Sequence, residues 1–157
     1  MPEERQDYLL RLIDELRQFV AEVLGTGDDS KLEAALVAVV QAEEKLFGRP
    51  AAEFQFPNVV DQLELLSRGE TPESARAKCL AYSSILEQAG LLYEARNHRD
   101  LAASAFQLAL YVRLLVADRN PPNEDLKRSI SALVDHVPPE ELHAPVLELL
   151  ERVNGWS

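Results

Sequence analysis

The stretch EQAGLLYEARNHRDLAASAFQLAL, residues 87 to 110, constrains the fold more than any other part of the chain. Small and aromatic residues recur in it at fixed intervals: Gly90, Tyr93, Ala102, Phe106 and Ala109. Asn97 and His98 lie between the two halves, so the pattern predicts two helices joined by a tight turn. Helices joined this way must pack closely. Close approach needs small residues at the crossing and large ones beside it to fill the holes. Gly90 lets the second helix approach the first. Ala102 and Ala109 keep the facing surface low, and Tyr93 and Phe106 supply the volume.

The rest of the chain carries the same helical period. From Asp7 to Leu24, apolar residues at Leu9, Ile13, Leu16, Val20 and Val23 form one stripe, widened by Tyr8, Leu12 and Phe19. GTGDDS ends this helix, and Asp28, Asp29 or Ser30 can cap the next one. That helix runs from about Ser30 to Phe47 on the face Leu32, Ala35, Leu36, Val39, Ala42 and Leu46, and Gly48 and Pro50 end it. AAEFQFPN is irregular, with at least one of Phe54 and Phe56 expected to plug the core. A short helix follows to Ser67, started by Asn58 as cap or by Pro57 in its first turn.

RGETPES marks the next start: Thr71 suits the cap, Pro72 the first helical position and Glu73 the positive end of the dipole. A long helix is expected to Arg96 and another to Asp118. After RNPPNED, with Asn120 or Asn123 as cap, a helix runs from Glu124 to His136. The last helix carries Leu142, Val146, Leu149, Leu150 and Val153, with a kink or split at Pro145. The expected fold is all-α, with six to seven helices and no sheet. One domain over residues 1–157 divides into an N-terminal hairpin (1–48), an irregular segment with a short helix (49–70), a second hairpin (71–118) and C-terminal capping helices (119–157).

Hydrophobic residues make up 46% of the chain, rich in Leu and Ala, which favours helix. The net charge is −11, with 16 basic residues scattered among 27 acidic ones. That argues against binding a phosphate backbone or an anionic membrane surface. Cys79 alone builds neither an intrachain disulfide nor a zinc quartet. MPEERQDYLL lacks the features of a signal peptide, and no uninterrupted apolar run is long enough to span a membrane. The expected location is the cytoplasm.

Residues 83 to 116 resemble a tetratricopeptide repeat. Gly90, Tyr93, Ala102, Phe106 and Ala109 match the family's spacing, while Leu86 stands for its usual Trp, Ala89 for its Leu and Leu114 for its final Pro. Ala35, Val39 and Ala42 repeat the interval of Ala102, Phe106 and Ala109, as in a degenerate first repeat. The resemblance implies antiparallel hairpins stacked in a right-handed array, since one repeat cannot bury its own apolar faces. DYLLRLIDEL followed by LEAALVAVVQAEEKLFG is also similar to a family of short bacterial helical proteins with no assigned activity. That resemblance covers about residues 7 to 117 and implies architecture without mechanism.

Residues suited to chemistry are few. His98 reads as a turn residue, and His136 as a helix-end residue whose ring can meet free carbonyls. Glu140 and His143 have an ExxH spacing, but a di-iron bundle needs two such motifs and two further glutamates. GTGDDSK follows a helix and is too short for a phosphate loop. Cys79 reads as core, and Glu43-Glu44 and Glu140-Glu141 as solvated helix faces. No catalytic, cofactor or metal residue is assigned.

The tetratricopeptide resemblance implies a concave groove lined by the first helix of each hairpin, with exposed positions at Ser84, Glu87, Gln88, Leu91 and Glu94. Glu87 and Glu94 disfavour capture of a carboxylate terminus and favour a basic or amphipathic protein segment. The same face is alternatively covered by a neighbouring helix or merely solvated. The leading reading is therefore a protein–protein interaction or scaffold module. A second is a self-associating subunit paired through the Leu9–Val23 seam. A third is an enzyme or metal-binding bundle whose polar residues meet only in three dimensions, and no motif supports it.

Overall fold

The computed structural model describes residues 2–55, 58–119 and 123–154, with side chains from residue 7 onward. Seven α-helices form among these residues: α1 (Pro2–Thr26), α2 (Asp29–Phe47), α3 (Val59–Ser67), α4 (Pro72–Ala95), α5 (Arg99–Arg119), α6 (Glu124–Val134) and α7 (Ala144–Asn154). Two 3₁₀ turns, Ala51–Glu53 and Pro139–Glu141, interrupt the connections, and no strand occurs among the described residues. The expected all-α class holds. Phe56, Pro57 and Asn120, named above as plug or start positions, lie outside the described residues.

Helix starts follow side-chain chemistry. Asp28 accepts from the Ser30 N–H at 2.9 Å, Asn58 from Val60 at 2.9 Å, Thr71 from Ser74 at 3.2 Å and Asn123 from Leu126 at 2.8 Å. Each bond satisfies an N–H that the helix itself leaves without a partner. The α4–α5 turn ends on Asn97 at φ 61°, where Asn tolerates the left-handed region better than most residues. There His98 N–H donates to the Tyr93 carbonyl at 2.9 Å and Asn97 N–H to that of Glu94 at 3.1 Å, the paired bonds of a Schellman stop.

At Pro145 the structure differs from expectation. The ring sits in the first turn of α7, where no N–H is needed, so the helix starts there and is not kinked. Leu142 lies ahead of it, after the 3₁₀ turn.

One apolar core runs through all seven helices. α4 and α5 form the most extensive pair, and α4 also packs on α1, α2 and α3, while α6 and α7 cover α5. At the α4–α5 crossing a Cβ on Gly90 would stand 2.7 Å from the Phe106 ring, so only glycine fits. Ala102, Phe106 and Ala109 are buried there. The Ser83 hydroxyl, also buried, donates to the Ala109 carbonyl at 2.8 Å. α5 is long and apolar enough by composition to cross a membrane, and its apolar side chains are largely spent on this core. Leu9, Ile13, Leu16, Val20 and Val23 are all buried within the chain, so the seam considered for pairing between chains is internal core. Phe54 plugs the core below α2, stacked on Phe47 at 4.1 Å, with Phe47 edge-on to Tyr82 at 5.2 Å.

Candidate functional site

α4 buries two of its sides, toward α1 and α2 on one hand and toward α5 on the other. Between them runs a stripe one turn apart, Ala77, Leu80, Ser84, Glu87, Leu91 and Glu94, in which every residue is partly or wholly exposed. Four of the five positions implied by the resemblance lie on this stripe. Gln88 does not: it is 6% exposed and turned into the fold.

The two ends of the stripe differ. At the C-terminal end Glu87 accepts from Arg113 Nη2 at 3.0 Å. Arg113 is itself buried on α5 and donates from Nη1 to the Ser129 carbonyl on α6 at 3.2 Å. Glu87 is thus the counter-ion of a buried cation, not a free carboxylate awaiting a ligand. Glu94 stands 3.8 Å from His136 Nδ1. The His136 ring stacks on Phe106 at 4.4 Å and so covers the core just past α6.

At the N-terminal end the stripe opens into a groove against α1 of about 350 Å³. Leu9, Leu10 and Ile13 form one wall, and Ala77, Leu80 and Ala81 the other. The groove exists because Ala77 and Ala81 are too short to fill the space beside α1. Leu10, 63% exposed, is the most open large apolar side chain described. Asp14, Arg17 and Ser84 are its polar lining, and Arg17 Nη2 donates to Ser84 Oγ at 3.4 Å. Among the described residues the Asp14 carboxylate makes no ion pair and no side-chain hydrogen bond. Sequence reasoning placed Ser84 here but missed the α1 wall. The available signal was Leu10, an apolar residue just off the core stripe of its helix.

Two polar clusters were invisible in the sequence. Gln107, buried on α5, donates to the Glu141 carbonyl at 3.2 Å and accepts from the His143 N–H at 2.7 Å, tying the loop before α7 to the bundle. Glu43 is half-buried, not solvated as expected; burial, and then the Glu44 charge, push its carboxyl up to about 7. Nearby, Tyr82 donates to Gln62 Oε1 at 2.9 Å, and Gln62 donates to the Phe54 carbonyl at 2.9 Å. Burial, and then the Glu43 charge, raise the Tyr82 phenol.

Cys79 is buried as expected, and burial raises its thiol. Glu140 lies in a 3₁₀ turn and His143 ahead of α7, so their ExxH spacing is not on one helix. Among the described residues no group of three or more His, Cys, Asp and Glu side chains is placed to hold a metal ion. Comparison with protein-family models, with curated proteins and with solved structures finds no significant match.

Proposed function

We propose that the chain is a non-catalytic protein–protein interaction or scaffold module, built of tetratricopeptide-like hairpins in a right-handed array and working in the cytoplasm, with the α1–α4 groove as its contact surface. The observation that carries the reading is the groove itself: an open apolar channel with Leu10 largely in water, beside an Asp14 that has no ion pair among the described residues. Exposed apolar surface rimmed by polar groups is a common mark of an interaction site. The packing of α4 on both helices of the preceding hairpin, α1 and α2, supports the hairpin array. In such an array the first helices line one face, which is where α1 and α4 meet.

The test is affinity capture from lysate of the source cells with wild type and Leu10→Asp, quantified by mass spectrometry. Leu10 is exposed, so the substitution leaves the fold intact while placing a charge in the channel. A protein recovered by wild type and depleted at least several-fold with the variant is expected. Equal recovery by both would show that the groove is not the contact surface.

A further inference from the structure

We infer that the occupant of the α1–α4 groove is a short, net-basic amphipathic helix of another protein, in preference to an extended peptide or a second copy of this chain. The inference rests on the reading of the groove as a contact surface and specifies what that surface takes.

The walls decide the conformation. Both are α-helices, whose backbone groups are bonded along their own axes. The groove's polar lining is three side chains, Asp14, Arg17 and Ser84. An extended segment entering it would give up water from its backbone N–H and C=O groups and find no ladder in return. A helix arrives with its backbone already satisfied and lays an apolar face into the channel. The dimensions agree: Leu9 to Arg17 spans about 12 Å of helix, roughly two turns. The opposite wall presents Ala77, Ala81 and Ser84 one turn apart, small residues that admit a helix backbone closely, with Leu80 among them as an apolar contact.

Charge decides the partner. A second copy would bring −11 against −11. Long-range repulsion of that kind opposes self-docking and favours a cationic segment. Within the groove, Asp14 is the carboxylate without an ion pair among the described residues, and Arg17, one turn further along α1, donates to Ser84. The complementary helix therefore carries Lys or Arg beside Asp14, with any acidic residue about one turn away beside Arg17.

A random peptide library displayed on phage and selected on the full-length chain, with counter-selection on Leu10→Asp, tests this without specifying a partner protein. Winning peptides are resynthesised and their binding is followed by fluorescence anisotropy, alongside sedimentation of the protein alone. The expected winners carry apolar residues at i, i+3 or i+4, and i+7, are enriched in Lys and Arg, and exclude proline. Their affinity falls by about tenfold or more with Leu10→Asp and by several-fold with Asp14→Lys. Winners with apolar residues at every second position, or rich in proline, overturn the helix while leaving the groove a binding surface. A wild-type dimer that Leu10→Asp dissociates overturns the foreign partner. No enrichment over Leu10→Asp overturns both this inference and the reading beneath it.

Discussion

Gly90 shows how much one residue decides. Alanine is worth about 1 kcal/mol more than glycine inside a helix, so propensity alone predicts that Gly90→Ala stabilises. The Phe106 ring occupies that space at 2.7 Å, is 1% exposed and stacks on His136, so it has little room to retreat. Gly90→Ala is therefore expected to destabilise by about 1–3 kcal/mol, the usual range for overpacking, measured by urea denaturation. The glycine and its aromatic partner were both legible in the sequence, because a missing side chain and a large one at matched intervals leave a trace. Glu43 left none, since an acidic pair on a helix reads the same whether water or Tyr82 faces it. Its carboxyl is raised from the ordinary 4.5 to about 7, so between these values the folded chain keeps a proton that the unfolded chain has lost. This residue's contribution to stability thus falls as pH rises through that window and is constant above it. Glu43→Gln is expected to be more stable than wild type at pH 8, by about 1–2 kcal/mol for a group that water still partly reaches, and to match it at pH 4. Equal stability of the two at pH 8 would contradict this.

At the scale of elements, boundaries were readable where a short polar side chain accepts a backbone N–H. Thr71 before Pro72 is the clearest case, and Thr71→Ala is expected to cost about 1 kcal/mol in thermal unfolding. Pro145 was misread because its meaning depends on where the helix begins: a turn later it would be a kink, and at the first turn it is a start. How the C-terminal elements attach was not readable at all. Arg113 and Gln107 are polar residues inside an apolar helix, and nothing in their own neighbourhood of the sequence reveals partners on α4, on α6 and before α7. Arg113→Ala removes the ion pair to Glu87 and the bond to the Ser129 carbonyl together. We expect a loss of about 3 kcal/mol, with hydrogen exchange accelerating first in α6. Exchange that rises uniformly over the chain would show that Arg113 does not pin α6 in particular.

For the molecule as a whole, the helical class and the α4–α5 hairpin followed from periodicity, whereas the arrangement of hairpins did not. Ser84 and Leu10 are 74 residues apart in the chain and meet only because α1 packs across α4. Half of the candidate site therefore lay beyond any local pattern. We propose that the protein engages another at this meeting place. The most direct test is site-specific photo-crosslinking in living cells, with the photoreactive residue placed at Leu10 and, as control, at Glu148 on the exposed side of α7. The expected result is a discrete crosslinked band from position 10 that is absent from position 148 and is lost when Asp14 is changed to Lys. The same bands from both positions, or none from position 10, would contradict it.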